Sequence, residues 1–145
     1  MASGGVRKGF ESLALTLLRI STGVIMAVHG WQKLMDIPQW IGKITEMGFP
    51  APTAMAYLSI AGEFLGGLGL VFGFLTPLAA LGVLAVMVVA IYKVHWPHGL
   101  LAMNNGFEYP MTLGFVALFF IFRGSGPLGI DALFCRKKPL EESPS

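Results

Sequence analysis

The residues most able to do chemistry in this chain are a few ionisable side chains inside long apolar runs. Glu63 lies near the middle of one run, where a charged side chain costs about 2.5–3.5 kcal/mol on membrane-insertion scales. An earlier run presents a polar face, spanning roughly 120° at 100° per residue, that contains Arg19, Thr22, His29 and Lys33. Because lipid cannot solvate two cations and an imidazole, this face is predicted to point into a helix bundle or toward another subunit.

Glu63 supports two interpretations, which the sequence leaves open. At about 1.5 Å per helical residue, its depth falls between those of Arg19 and His29. The structural interpretation, which we favour, is an ion pair with Arg19 that fixes the register of the bundle. The functional interpretation is a carboxylate at the base of a polar pocket, which binds a ligand or relays a proton, as intramembrane carboxylates and histidines commonly do.

A second group of polar residues lies where the first and third apolar runs end and the fourth begins. The alternating direction of the runs brings these ends to one side of a membrane, so the residues can converge above Glu63. The resulting ligand or proton pocket is predicted to contain Arg19, His29, Lys33, Glu63, Lys93, His95 and Glu108. As an alternative, the ammonium groups of Lys33 and Lys93 extend to the lipid headgroups.

No metal, haem or nucleotide is predicted as a cofactor. Histidines and acidic residues near the predicted pocket have metal-binding chemistry, but His95 and His98 lack the i, i+4 spacing of a helical ligand pair. Haem needs facing histidines in the core, whereas all three histidines lie toward one side. The single cysteine, Cys135, excludes an internal disulfide and a CxxC motif. The sequence leaves the roles of Cys135 and His98 open.

The composition of the chain indicates the class of protein to which these residues belong. Charged residues make up 12% of the 145 residues and hydrophobic ones 54%, against about 25% charged in an average soluble domain. Such a chain cannot cover a water-facing surface, which excludes a soluble enzyme, and its apolar content excludes disorder. A net charge of +2 provides no basic field for nucleic acid. We therefore predict an integral membrane protein whose surroundings are the lipid bilayer.

Four apolar stretches approach the roughly 20 residues that a helix needs to cross a bilayer: about 13–34, 53–74, 77–96 and 107–122. The fourth stretch is at the lower limit for spanning. Prolines and glycines punctuate the connections, predicted as loops at 35–52 and 97–106. Too few residues separate the second and third stretches for any connection but an antiparallel hairpin.

Lysine and arginine residues predict the orientation of the spans. Six lie near the two chain termini and three at the opposite ends, which places the termini in the cytoplasm. Aromatic residues near those opposite ends, such as Trp40 and Trp96, are typical of a membrane interface. The predicted fold is an all-α, integral membrane four-helix bundle with cytoplasmic termini. It comprises a cytoplasmic N-terminal segment (1–12), a four-helix domain (13–134) and a polar cytoplasmic tail (135–145).

Small residues form matching stripes on the second and third stretches. The stripe on the second consists of Gly62, Gly66, Gly69 and Gly73, and the stripe on the third begins with Ala79, Gly82, Val86 and Ala90. Such stripes let two helix backbones approach closely in lipid. We interpret them as packing surfaces within one bundle; a homodimer contact or a slot for a flat ligand is the alternative.

The ordered motifs of the chain resemble the DoxX family over most of its length, roughly 13–133. They include Leu18-Arg19-Ile20-Ser21-Thr22-Gly23, His29-Gly30-Trp31-Gln32-Lys33, Glu63-Phe64-Leu65-Gly66-Gly67 and Val94-His95-Trp96-Pro97-His98-Gly99. The resemblance implies a four-helix protein of the bacterial inner membrane, associated with membrane redox systems. The family is named for a subunit of a thiosulfate:quinone oxidoreductase, so the resemblance favours quinone as the ligand.

Two functions follow as hypotheses, and whether the protein is an enzyme is left open. The first is a membrane subunit of an oxidoreductase system that binds quinone or a small redox-active ligand. Glu63 and His29 would then carry protons, Lys33 or Lys93 would hold a carbonyl or anion, and other membrane or peripheral redox subunits would supply electrons. The second is a non-catalytic subunit that stabilises a larger membrane assembly. A transporter would need repeat symmetry or broken helices, and neither is evident in the sequence.

Overall fold

The computed structural model describes residues 3–134, and every regular element in this range is helical. In chain order the elements are α1 (Ser3–Met35), α2 (Ile37–Glu46), α3 (Pro52–Ile60), a first π turn (Ala61–Leu65), α4 (Gly66–Phe72), α5 (Thr76–Ala90), a second π turn (Ile91–His95), two 3-10 turns (Trp96–His98 and Ala102–Asn104), α6 (Glu108–Arg123) and α7 (Asp131–Phe134). The predicted polar tail, 135–145, and Cys135 within it lie outside the described residues.

Three continuous helical segments are long and apolar enough to cross a membrane: Gly4–Met35, Pro52–Phe72 and Thr76–His98. They match the first three predicted spans, so the described chain is an all-α protein with three helices able to span a membrane. The second segment passes through the first π turn without a break, and the third passes through the second π turn. The fourth predicted span corresponds to α6, whose 16 residues are fewer than the roughly 20 that cross a bilayer core upright.

The helices pack side by side around a small apolar core. α4 lies between α1 and α5, and α6 packs on the other side of α5. The buried core residues are Met26, Leu70, Ala80, Val83, Met87, Leu113, Ala117 and Phe120. Larger apolar side chains such as Phe115 and Phe122 point outward instead, with Phe122 84% exposed. An outer surface this apolar is suited to lipid rather than to water.

The glycine stripe of the second span packs directly against the third, as predicted. A Cβ added to Gly62 would lie 2.6 Å from Cγ2 of Val86, and one added to Gly66 would lie 2.9 Å from the carbonyl oxygen of Ala79. A second close approach joins α1 to α4, because a Cβ on Gly23 would lie 2.6 Å from the carbonyl oxygen of Gly67. Larger residues at these positions would force the helices apart.

The predicted loop at 35–52 contains a helix, α2, that was missed. The carboxylate of Asp36 caps it by accepting a hydrogen bond of 3.1 Å from the backbone N–H of Gln39. Pro38 lies in its first turn, where a missing N–H removes no intrahelical bond. An aspartate followed closely by a proline is a helix-start signal, so this element was predictable from the sequence.

The chain beyond α6 folds back onto the hairpin between α4 and α5. The backbone N–H of Ile130 donates to Phe72 at 3.2 Å, and that of Asp131 donates to Gly73 at 2.9 Å. The carboxylate of Asp131 accepts hydrogen bonds from the backbone N–H groups of Leu75, at 2.7 Å, and Thr76, at 2.9 Å. Asp131 therefore caps the N-terminus of α5 with a charge of the favourable sign.

Replacing Asp131 with Asn is expected to lower the free energy of unfolding by about 1 kcal/mol above pH 5, because one of the two capping bonds is lost. Burial by itself would raise the pKa of Asp131, but the N–H groups of Thr76 and Leu75 and the nearby Arg19 lower it below 3.8. The depressed pKa means that the stabilisation is present above pH 3.8 and is lost as the carboxylate protonates at lower pH.

Unfolding in mixed micelles between pH 3 and pH 7 measures this contribution. Glu11→Gln, which removes an exposed carboxylate of α1, is the control. The stability of Asp131→Asn and of the parent protein should converge as the pH falls. A constant difference across this range would contradict a capping role for the carboxylate charge.

Candidate functional site

A cavity of about 500 Å³ opens at the loop end of the bundle, the end formed by 36–51 and 96–107. Four residues of the predicted pocket line it: His29, Lys33, Glu63 and His95. Further polar or aromatic lining residues are Trp40, Lys43, Phe49, Ser59, Asn105 and Tyr109. The volume is within the range of about 300–1,000 Å³ that is typical of small-molecule sites.

The centre of the site is an ion pair between Lys33 and Glu63. Nζ of Lys33 donates to Oε1 of Glu63 at 2.6 Å, and the side chains are 19% and 5% exposed. The predicted ion pair between Arg19 and Glu63 is therefore wrong. The reason is the register of the two antiparallel helices, in which Gly30 packs against Phe64 and brings the last turn of α1 to the level of Glu63.

Arg19 lies instead at the opposite, terminal end of the bundle, formed by the α4–α5 hairpin and 124–134. Its guanidinium donates to the carbonyl oxygens of Leu70, Val71 and Leu128, the last two at 3.0 and 3.4 Å. Gly73 makes room for it, since a Cβ there would lie 2.6 Å from Nη1. With 1% exposure, Arg19 is a packing residue and does not line the cavity.

The second carboxylate oxygen of Glu63, Oε2, is buried and has no hydrogen-bond partner among residues 3–134. Buried polar atoms in native proteins nearly always have a partner, whether protein, water or ligand. An open acceptor beside a cation, at the wall of a cavity, is therefore a place for a ligand that donates one hydrogen bond and accepts another.

Both π turns contribute to this cavity. Glu63 lies within the first, where the N–H of Gly66 donates to the carbonyl of Ala61 five residues earlier. His95 ends the second, where the N–H of Trp96 bonds back to Ile91 in the same way. Single π turns inside helices are rare, and those that occur often lie at functional sites. No composition or spacing rule identified them in the sequence.

Trp40 forms the wall beside the ion pair. Nζ of Lys33 lies 4.1 Å from the centroid of the Trp40 ring, a cation–π contact. The indole Nε1 donates to Oγ of Ser59 at 2.8 Å, so α2 is joined to α3 at this point. The sequence indicated Trp40 only as an interfacial aromatic residue. Ser59 was missed, although its position four residues before Glu63 puts it on the same helical face.

The connection from His95 to α6 forms the rim of the cavity. Nδ1 of His95 donates to the carbonyl oxygen of Asn105 at 2.7 Å. Glu108 accepts a hydrogen bond of 2.6 Å from the backbone N–H of Ala102, so it shapes the connection and does not line the cavity. Lys93 also stays outside, with Nζ 5.2 Å from the centroid of the Phe49 ring. His98 belongs to this connection but is exposed and does not line the cavity.

Within residues 3–134, no three His, Cys, Asp or Glu side chains come close enough together to hold a metal ion. The arrangement is instead suited to hydrogen bonding and proton transfer. Lys33 can donate to a carbonyl oxygen, Glu63 can accept a proton at Oε2, and His29 and His95 line the same cavity, with His95 at the loop end. In a site sheltered from water, such interactions are stronger than at an exposed surface.

Comparison with known proteins matches the DoxX family over residues 14–96. A Bacillus subtilis protein named "Putative oxidoreductase CatD" is 29% identical over 133 residues, covering 92% of this chain and 95% of its own. Two Haemophilus influenzae proteins named "Uncharacterized protein" are each 27% identical, over 106 residues (69% of this chain, 70% of theirs) and 128 residues (85% and 92%). No solved structure is a significant match.

Proposed function

Because this chain belongs to the DoxX family, we propose that it is a four-span protein of the bacterial inner membrane with its termini in the cytoplasm. In this arrangement α6 is the fourth span, and its 16 residues rise about 24 Å. That is somewhat less than a hydrocarbon core of about 30 Å, so the bilayer is locally thin beside α6. Arg7, Lys8 and Arg123 support the orientation by the positive-inside rule.

We propose further that the protein binds a quinone, or a similarly small redox-active carbonyl compound, as a membrane subunit of an oxidoreductase system. The observation that carries this proposal is the buried Lys33–Glu63 pair, whose free oxygen Oε2 belongs to a residue lining a cavity of about 500 Å³. The name of the Bacillus subtilis relative, "Putative oxidoreductase CatD", is consistent with such a role.

The roles of the residues follow from their hydrogen-bonding chemistry. Lys33 donates to a quinone carbonyl, and Glu63 accepts the proton of a hydroquinone hydroxyl at Oε2. When a hydroquinone is oxidised, two electrons leave to a partner redox subunit and two protons leave through the site. Glu63 takes a proton first, and His29 and His95, which line the same cavity, are the next acceptors. His95, at the end of the second π turn, is the one at the loop end.

A non-catalytic role in a larger membrane assembly is the second candidate. The close helix contacts of the glycines and the buried Arg19 serve stability whether or not a ligand binds. Co-purification of partner subunits in fixed stoichiometry, together with no ligand binding by the isolated protein, would favour this role over the first.

Titration of the purified protein with a short-chain quinone tests the first proposal. Trp40 lines the cavity, so binding is expected to quench tryptophan fluorescence saturably. Glu63→Gln should weaken binding by about 10- to 100-fold, the equivalent of one charge-assisted hydrogen bond. Glu46→Gln, on the exposed face of α2, is the matched control, and circular dichroism checks that both variants keep their helices. Unchanged affinity in a folded Glu63→Gln protein would exclude Glu63 from the site.

A further inference from the structure

A second cavity, of about 910 Å³, lies between the second and third spans. Ser59 has the only polar side chain among the residues that line it. Leu58, Leu65 and Leu78 are exposed at its edges, and small residues such as Gly62 and Gly82 lie at its base. The cavity is therefore an apolar groove on the surface that membrane-spanning helices present to lipid; we call it the lateral groove.

The lateral groove runs along the helices. Its lining extends from Ser59, near the loop end, to Leu75 in the hairpin at the terminal end. At about 1.5 Å per helical residue this is a length of about 24 Å. A groove of this length and polarity accommodates an extended hydrocarbon chain.

The lateral groove adjoins the cavity at the Lys33–Glu63 pair. Five residues line both: Ile44, Phe49, Ser59, Val86 and Val89. The junction is one helical turn from Glu63, because Ser59 precedes it by four residues. A single molecule can therefore place a polar head beside Glu63 and a long apolar tail in the lateral groove.

We propose that the ligand of the Glu63 cavity is such an amphiphile, a quinone-type head with a long hydrocarbon tail, and that it enters from the bilayer through the lateral groove. The inference rests on the proposed function and adds the class of ligand and its route. A phospholipid fits the junction less well, because its phosphate offers no proton to the carboxylate of Glu63, although Lys33 and Lys43 line the same cavity. The unpartnered Oε2 of Glu63 needs a hydrogen-bond donor, which a hydroxyl head group supplies.

Two quinones with one head group test this inference: 2,3-dimethoxy-5-methyl-1,4-benzoquinone and its 6-decyl derivative. Ala85→Phe fills the lateral groove, since Ala85 lines it and is exposed. Val88→Phe is the matched control, because Val88 is on the same helix, is exposed and lines neither cavity. Affinities are measured by tryptophan quenching in one detergent. Partition of the decyl tail into micelles is then the same for the parent protein and both variants, so it cannot produce a difference between them.

In the parent protein and in Val88→Phe, the decyl compound is expected to bind at least tenfold more tightly than the tail-less one. In Ala85→Phe this preference should fall below threefold while the affinity for the tail-less compound is unchanged. An equal preference in Ala85→Phe and Val88→Phe would overturn the groove as the tail site. So would a phospholipid that co-purifies with the parent protein, is lost in Ala85→Phe and is not displaced by the decyl compound.

Failure of the proposed function gives a different result. If neither quinone binds the parent protein, or if binding is indifferent to Glu63→Gln, both the function and the inference fail. If the tail-less quinone binds in a Glu63-dependent way but the tail adds nothing, only the lateral groove is wrong. Thermal unfolding midpoints of the two phenylalanine variants establish that any difference comes from folded protein.

Discussion

Glu63→Gln is expected to destabilise the protein more than the simultaneous replacement of Lys33 and Glu63 by methionine. Breaking a buried ion pair on one side leaves the other charge unpaired, which costs about 3–5 kcal/mol for fully buried groups. Lys33 keeps 19% side-chain exposure, so about 2 kcal/mol is expected for Glu63→Gln. Apolar residues of similar volume at both positions are expected to be nearly neutral. The free energy of unfolding in mixed micelles, measured for Glu63→Gln and for the four proteins of the double-mutant cycle of Lys33→Met and Glu63→Met, checks the prediction.

The same cycle distinguishes a structural role of the Lys33–Glu63 pair from a role in ligand binding. A Lys33→Met/Glu63→Met protein that is as stable as the parent but has lost quinone binding would show that the ion pair serves the site. If the double variant is instead as unstable as Glu63→Gln, the pair serves the bundle, and the assembly role gains support. A stable double variant that still binds quinone with the parent affinity would contradict the proposed ligand site.

Arg19→Met is expected to be the most destabilising single substitution at the terminal end. Arg19 is 1% exposed and donates to three carbonyl groups, of which that of Leu70 also accepts the N–H of Gly73. The carbonyls of Val71 and Leu128 lose their donor in the variant. Each acceptor left without a donor costs about 1–3 kcal/mol, so a total of about 3 kcal/mol is expected. Arg19→Lys should recover only part of this loss, because an ammonium lacks the planar fork that reaches several acceptors.

Unfolding in mixed micelles measures this loss, and Arg7→Met is the control, because Arg7 is exposed and pairs only with Glu11 in the next turn. Quinone affinity measured on the same folded samples should not change in Arg19→Met, since Arg19 lies at the other end of the bundle from the Glu63 cavity. Loss of quinone affinity with unchanged stability would return Arg19 to the ligand site, contrary to the structure.

Features that depend on one helix at a time were predictable from the sequence. The length of the apolar runs predicted the membrane-spanning helices, and the spacing of Gly62, Gly66 and Gly69 predicted which face packs on the third span. The inward direction of the polar face of α1 was correct for Arg19 and Thr22, which are buried, whereas His29 on the same face is exposed. These properties follow from helical periodicity, which a single sequence contains.

Features that depend on the register between helices were not predictable. Glu63 pairs with Lys33 and not with Arg19 because the register between α1 and the second span places Gly30 against Phe64. Depth counted along each helix separately does not give this register. The first π turn shifts Glu63 relative to an α-helix and has no sequence pattern. Asp131 caps a helix that begins 55 residues earlier in the chain, a contact that only the folded structure defines.

The distance along the chain between α5 and its cap also orders the events of synthesis. The ribosome makes Thr76, the first residue of the third span, 55 residues before it reaches Asp131, a delay of about 3–11 s at 5–20 residues per second. Throughout that interval the backbone N–H groups of Leu75 and Thr76 lack the carboxylate that later accepts their hydrogen bonds. The cap of α5 therefore forms only after the rest of the described bundle has been made. A chain that ends before Asp131 lacks the two hydrogen bonds that cap α5.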